Sequence, residues 1–222
     1  MKSQKNKLLL DLEELRWANE WLARKAEKDF SYFLPYINPS YQRKWFHKVI
    51  MQYCQKVFEG DIKNLMVFVP PQHGKSELIS RGFPAWALGR NPDLKMVACS
   101  YSASLSQQFS RQVQRIIDNK DYAAIFPDTH LRGSAGESAR GFLRNVDMFE
   151  IVGHNGFYKA VGVGGSLTGT PVDIGIIDDP VKDAMEAYSE IFRQRVWEWY
   201  NSVFRTRLHN NSRQLFIMTR WH

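Results

Sequence analysis

Gly74, Lys75 and Ser76 fill the last three positions of G-x-x-x-x-G-K-[ST], the pattern of loops that bind phosphate groups. Such a loop surrounds phosphate oxygens with backbone N–H groups, its lysine contacts the β- and γ-phosphates, and its hydroxyl binds magnesium. Val69 stands where the usual first glycine would be, and a match of this length is common by chance. The residues expected to contact a nucleotide are Pro71, Gln72, His73, Gly74, Lys75, Ser76 and Glu77.

A second group of candidate residues follows the apolar segment "VDIGIID", which ends in Asp178 and is followed by Asp179. We predict that Asp178 is a magnesium ligand together with Ser76, and that Asp179 is the base that orients the attacking water. Each motif alone has an ordinary explanation, either a strand-to-helix turn with a surface lysine or an acidic turn after a strand. Found together, they favour a nucleoside triphosphatase.

The segments around both motifs alternate between strand and helix patterns. The strand patterns are "NLMVFVP", "LKMVACS", "VDIGIID" and "RQLFIMT", and a hairpin with an Asn155-Gly156 turn is predicted in "MFEIVGHNGFYKAVGV". The helical patterns are "KSELISRGFPAWALG", disturbed by Pro84, "ASLSQQFSRQVQRIID" and "SEIFRQRVWEWYNSVFRTRL". This alternation predicts an α/β fold with a mostly parallel, buried central sheet flanked by helices on both faces.

The first sixty residues have a different, helical character. Apolar residues recur at helical spacing over residues 8–28, the prolines of "FLPYINPS" interrupt the pattern, and a second helix is predicted over "YQRKWFHKVIMQYCQKVFEG". We therefore predict an N-terminal helical segment at residues 1–60, which includes the adenine side of the site, and a P-loop core at residues 61–222.

Composition limits the class of protein. The 222 residues suffice for one substantial core, and no apolar run is long enough to span a membrane. Two distant cysteines, Cys54 and Cys99, favour a reduced intracellular protein without disulfides. A net charge of +7 favours a polyanionic partner such as nucleic acid, although a basic solvated surface explains it as well.

Three stretches resemble the ATPase domain of the terminase large subunit, the DNA-packaging motor of tailed bacteriophages. They are "PPQHGKSELISRGFPAWALGRNPDLKMVACSYSASLSQQFSRQVQRII", "IGIIDDPVKDAMEA" and "MTRWH", and the similarity extends roughly over residues 30–222. The resemblance implies a three-layer P-loop NTPase of the additional-strand class that uses ATP and Mg²⁺.

The resemblance also implies partners and a location. These are double-stranded DNA, a portal protein, a small terminase subunit and a homo-oligomeric ring, expected to be a pentamer, in the host cell cytoplasm and without a membrane. An RNase H-like nuclease domain normally follows in the family. Because this sequence stops just after a buried-type strand, we expect a truncated chain that lacks the nuclease.

The resemblance assigns roles to individual residues. Lys75 and Ser76 match the phosphate lysine and the magnesium hydroxyl, Asp178 matches the Walker B aspartate, and Thr219 matches the motif that couples hydrolysis to movement. The next position is usually glutamate and here is Asp179, so Asp183 and Glu186 remain alternative bases.

A catalytic arginine is missing from two places where relatives often have one. Gln72 occupies the first, inside the loop, and "GGSLTGTPVD" lacks an arginine at the second. An arginine from a neighbouring subunit is therefore expected. The candidates are Arg132, Arg140 and Arg144, with Arg140 as the first choice.

Adenine and DNA contacts are predicted from two further segments. Gln42 would hydrogen-bond the adenine edges and Tyr41 would stack on the ring, with Trp45 and His47 expected only to pack. DNA phosphates would contact Ser100, Ser102 and Arg111, unless this segment is a plain amphipathic helix. The aromatic residues expected to pack in the core or between subunits are Trp197, Trp199, Tyr200 and Phe204.

Three functions remain possible at this point. The first is an ATP-driven translocase on double-stranded DNA. The second is a helicase-like, DNA-stimulated ATPase that acts on single strands. The third is a ring-assembly or DNA-clamping protein that binds nucleotide without turnover.

Overall fold

A computed structural model describes residues 2–132 and 141–221, with residues 2–12 described by their backbone alone. The strands are β1 (Asn64–Phe68), β2 (Lys95–Ser100), β3 (Met148–Glu150), β4 (Phe157–Gly162), β5 (Val172–Asp178) and β6 (Leu208–Met218). The helices are α1 (Lys2–Lys28), α2 (Phe30–Ile37), α3 (Trp45–Glu59), α4 (Phe83–Arg90), α5 (Ala103–Ile117), α6 (Lys120–Ile125), α7 (Ala184–Tyr188) and α8 (Glu190–Trp199). Two π-helical turns, Glu77–Gly82 and Tyr200–Phe204, and a 3₁₀ turn, Arg205–Arg207, complete the regular elements.

The strands form one sheet in the order β1-β6-β5-β2-β4-β3. All neighbours are parallel except β3 and β4, which form the predicted antiparallel hairpin. The last strand, β6, lies between β1, which leads into the phosphate-binding sequence, and β5, which ends in the aspartates. This inserted strand defines the additional-strand class, so the predicted fold is confirmed.

Apolar side chains of the central strands alternate between two cores. In β2, Met96 and Ala98 lie in the core that contacts α2–α5, whereas Val97 and Cys99 lie in the core below the second π-helical turn. Period-2 alternation with both faces buried explains why these strands are apolar throughout. No helix of the described residues is long and apolar enough to cross a bilayer.

Helix α2 overturns the expectation of a proline break. Asp29 caps its first turn by accepting from the Ser31 N–H at 2.8 Å, and Pro35 lies inside the helix. Proline cannot donate to the carbonyl four residues earlier, which here is Ser31. The guanidinium of Arg43 donates to that carbonyl instead, at 2.5 Å, so the helix tolerates the proline.

Strand β1 was expected to be buried and is an edge strand. Met66 and Phe68 are 62% and 56% exposed. An apolar run predicts a strand but does not tell a central strand from an edge strand.

In the second π-helical turn, Phe204 packs directly against Gly175, where an added Cβ would lie 2.3 Å from the ring. Core packing is confirmed for Trp199 and Phe204, whereas Trp197 is largely exposed.

Candidate phosphate-binding site

The segment between β1 and the first π-helical turn is a loop with an unusual backbone conformation. Gln72 and Gly74 adopt left-handed backbone conformations, with φ of 64° and 72°. A left-handed residue beside a right-handed one turns successive N–H groups toward one point, which is the geometry of an anion-binding nest, and the two left-handed residues suit this loop to that geometry. A left-handed conformation costs a residue such as Gln72 about 1–2 kcal/mol, a strain typical of functional loops.

The helix that follows the loop begins with the π-helical turn Glu77–Gly82. The Phe83 N–H donates to the carbonyl of Leu78, five residues earlier, which is the hydrogen-bond pattern of a π-helix. Such turns are rare and frequently occur at functional sites. The sequence predicted a disturbed helix because of Pro84, and Pro84 lies in the first turn of α4, directly after the π-helical turn.

Lys75 is the centre of a small polar cluster at the carboxyl ends of three strands. Its Nζ lies 2.5 Å from Asp179 Oδ2 and donates to Thr219 Oγ1, also at 2.5 Å. The Thr219 N–H donates to Asp179 Oδ1 at 2.9 Å. Lys75 is only 7% exposed, whereas the Asp179 side chain is 27% exposed, so the ion pair is shielded from water mainly at its lysine end. The structure thus brings together three residues that the sequence predicted as catalytic.

Asp179 is held in a strained conformation by the strands around it. Its φ is 44°, in the left-handed region that non-glycine residues rarely adopt. Its N–H donates to the Ile217 carbonyl at 2.8 Å, and its own carbonyl accepts from the Tyr101 N–H at 3.2 Å. These bonds fix the backbone so that the carboxylate faces Lys75.

Asp178 points into the protein, with a residual exposure of 1%. Burial raises the pKa of its carboxyl group, and the nearby hydroxyl groups of Ser80 and Ser76 partly offset that effect. Ser80 Oγ donates to Oδ2 at 2.5 Å, while Oδ1 is buried without a hydrogen-bond partner among the described residues. An unsatisfied carboxylate oxygen beside the hydroxyl of Ser76 fits a divalent cation, which binds few protein groups when phosphates and waters complete its shell.

Ser80 was missed by sequence reasoning, although a signal existed. It lies four residues after Ser76, a spacing that places two hydroxyls on one side of a helix. It is fully buried, and its partner Asp178 lies on a distant strand.

The predicted adenine-side residues lie in the connection between α2 and α3. Tyr41 is half-buried, and burial, with the negative charge of Glu77, raises its pKa to about 12. Its ring packs 5.7 Å from the ring of His47, and Gln42 is exposed with Oε1 accepting from Lys44 Nζ at 3.5 Å. Trp45, expected to pack, is instead 81% exposed.

The three candidate arginines are placed differently. Arg140 lies outside the described residues. Arg144 donates to both carboxylate oxygens of Asp118, at 3.3 and 2.5 Å, and to Gln114, so it is fixed within the fold. Arg132 is largely exposed.

The alternative bases have structural tasks. Asp183 caps α7 by accepting from the Glu186 N–H at 3.0 Å, and Glu186 accepts from the Lys182 N–H at 2.8 Å. Both carboxylates therefore accept hydrogen bonds from backbone N–H groups at the start of α7.

The residues predicted to contact DNA are not equally accessible. Ser100 is fully buried, because it is the last residue of the central strand β2, so its assignment to DNA phosphates was wrong. Ser102 caps α5 by accepting from the Leu105 N–H at 3.3 Å. Arg111 lies exposed on α5.

Comparisons with known proteins relate the chain to one family and to solved structures of similar fold. The family model described as terminase large subunit, T4likevirus-type, N-terminal, matches residues 66–222. The large terminase of bacteriophage HK97 aligns with a TM-score of 0.51 and 15% identity, over 81% of this chain and 33% of that one. The large terminase ATPase domain of Thermus phage P74-26 aligns with a TM-score of 0.46 and 16% identity, over 80% of this chain and 65% of that one. A search of curated proteins found no match. The chain therefore spans about a third of the HK97 protein.

Proposed function

Because the chain belongs to the terminase large-subunit family, we propose that it hydrolyses ATP to drive the packaging of double-stranded viral DNA. The observation that carries the proposal is the convergence of Lys75, Asp179 and Thr219 beside the buried Asp178. A phosphate-binding loop after one parallel strand, its lysine, and two carboxylates at the carboxyl end of another strand of the same sheet are suited to the transfer of a γ-phosphoryl group to water.

In the proposed mechanism, the loop from Pro71 to Ser76 holds the triphosphate through its N–H groups, with Gln72 and His73 lining it. Ser76 and Asp178 would hold Mg²⁺, which neutralises charge on the β- and γ-phosphates when it is bound. Ser80 occupies Oδ2 of Asp178, so that Oδ1 is the oxygen that would hold the ion. Tyr41 and Gln42, next to Glu77, are the proposed adenine contacts.

Lys75 and Asp179 would change partners when the nucleotide binds. In the nucleotide-free protein the ammonium group neutralises the carboxylate. Phosphate oxygens compete for Lys75, and the freed Asp179 then accepts the proton of the attacking water. Thr219 loses the same lysine contact, which gives the end of β6 a way to respond to the γ-phosphate.

The remaining assignments follow from the family resemblance. Because Gln72 adds no positive charge, we propose that Arg140 of a neighbouring subunit in a pentameric ring stabilises the transition state. The proposed partners are double-stranded DNA, the portal protein and the small terminase subunit, and the proposed location is the host cytoplasm. The positive net charge suits DNA.

The test is ATP hydrolysis and nucleotide binding by Lys75→Ala. The matched control is Lys159→Ala. Like Lys75, Lys159 donates to a threonine hydroxyl, that of Thr170 at 2.9 Å, but Lys159 is not part of the phosphate-binding loop. We expect Lys75→Ala to abolish turnover and Lys159→Ala to preserve it. Unchanged turnover in Lys75→Ala would refute the proposal.

The alternative functions give different results in the same assays. A nucleotide-binding clamp would show no turnover in the wild type, and Lys75→Ala would change only binding. A single-strand helicase would displace a strand from a partial duplex. The proposed translocase is stimulated by duplex DNA without displacing a strand.

A further inference from the structure

His47 connects two backbone segments beside the phosphate-binding loop. It lies in the first turn of α3, is 7% exposed, and its ring lies between those of Tyr41 and Phe46, at 5.7 and 4.2 Å. Its Nδ1 is 3.1 Å from the Lys44 nitrogen. Its Nε2 is 2.9 Å from the His73 carbonyl oxygen, inside the loop.

These two contacts define the tautomer of the His47 ring. A backbone N–H can only donate, so Nδ1, which faces the Lys44 N–H, carries no proton. The His73 carbonyl can only accept, so Nε2 carries the proton and donates it. The imidazole is therefore neutral and holds the loop with a directed hydrogen bond.

The bond to His73 has a consequence for the next residue. In a trans peptide the C=O and the following N–H point in opposite directions. Because His47 holds the His73 carbonyl on its own side, the Gly74 N–H is turned to the opposite side, away from the His47 ring. The ring also limits the space at Gly74, where an added Cβ would lie 3.3 Å from Nε2.

We propose that His47 is a positioning residue for the anion-binding loop: it orients the His73–Gly74 peptide so that the Gly74 N–H faces the phosphate. This inference rests on the proposed nucleotide-binding function and adds a residue from outside the loop. His47 does not touch the nucleotide. Its contribution is to fix the donor in place before binding, so that binding does not have to order it.

Two matched variants separate the two contacts of the ring. In His47→Asn the amide oxygen can still accept from the Lys44 N–H, but the side chain is too short to reach His73. In His47→Gln the amide nitrogen can reach the His73 carbonyl, while the contact with Lys44 is lost. The probes are inorganic pyrophosphate, which tests the loop without adenine, and ATP with Mg²⁺, both measured by titration calorimetry.

We expect His47→Asn to weaken the binding of both probes about tenfold, because it loses one hydrogen bond of about 1.4 kcal/mol. We expect the affinity of His47→Gln for both probes to stay within about threefold of the wild type. Pyrophosphate should shift the Gly74 amide signal in the NMR spectra of the wild type and His47→Gln only. If the histidine merely supports the fold, both variants lose thermal stability alike and bind like the wild type.

A measurement on the unmodified chain covers the case in which His47→Asn does not fold. Nitrogen NMR of the imidazole distinguishes the tautomers, and a proton on Nδ1 would overturn the proposal. The nucleotide-binding function and the role of His47 can also be refuted independently of each other. A wild type that binds neither probe refutes the proposed function and with it this role, whereas normal binding by a folded His47→Asn variant refutes only the role of His47.

Discussion

Replacing Ser80 by alanine removes the hydroxyl that donates to the buried carboxylate of Asp178. A hydrogen bond to a charged group contributes about 1.5–3 kcal/mol, and no water can replace the hydroxyl because both residues are buried. Within that range, we expect Ser80→Ala to lose about 2 kcal/mol of unfolding free energy near neutral pH. For a chain of this size that corresponds to a fall in Tm of about 4–8 °C.

The loss of unfolding free energy in Ser80→Ala should depend on pH, and its direction follows from the protonation of Asp178. Burial raises the pKa of this carboxyl group in the folded state, and Ser80 lowers it, so Ser80→Ala raises it further. Above the folded-state pKa, Asp178 is charged in the wild type and in Ser80→Ala, and the full difference in unfolding free energy between them is present. As the pH falls through that pKa, Asp178 is protonated in both, and the difference shrinks to that of a neutral bond, about 1 kcal/mol.

Urea unfolding from about pH 8 to about pH 4 measures this difference directly. The matched control is Ser106→Ala, because Ser106 is equally buried and donates to an uncharged group, the Val161 carbonyl, at 2.7 Å. The control should lose about 1 kcal/mol at every pH. If Ser80→Ala behaves like the control, with the same loss at both ends of the pH range, the charged hydrogen bond to Asp178 is refuted.

Three further substitutions test other parts of the site. Gly74→Ala should weaken ATP binding about tenfold, because the free loop of the variant relaxes out of the left-handed conformation and must regain it on binding, at a cost of about 1–2 kcal/mol; unchanged affinity in calorimetry would contradict this. Thr219→Val should lower kcat with little change in ATP affinity, since Thr219 contacts the ammonium group of Lys75 and not a backbone N–H of the loop; a loss confined to affinity would speak against it. Arg144→Ala should cost about 1 kcal/mol in thermal unfolding, through its pair with Asp118, and leave turnover unchanged; a loss of turnover would make Arg144 catalytic.

The main elements of the site were predictable because each is carried by a short segment. Gly74, Lys75 and Ser76 follow an apolar run, and Asp178 ends another, so local patterns locate both. Parallel strands bring their carboxyl ends to one edge of the sheet, which is why these residues meet. The position of β6 between β1 and β5 came from the family resemblance and not from any local pattern.

The features that the sequence did not predict correctly depend on contacts between residues that are distant in the chain. Helix α2 survives its proline because Arg43 supplies the missing donor. The exposure of β1 depends on which strand becomes its neighbour, and the burial of Ser100 on its place at the end of a central strand. Ser80 and His47 gain their roles only from partners that the fold brings to them.

A structure of the chain with a non-hydrolysable ATP analogue and Mg²⁺ tests the central claim most directly. The account predicts that Lys75 Nζ leaves Asp179 and Thr219 for the terminal phosphates, and that the ion lies between Ser76 and Asp178 Oδ1. Phosphates bound elsewhere, with Lys75 still paired to Asp179, would contradict it.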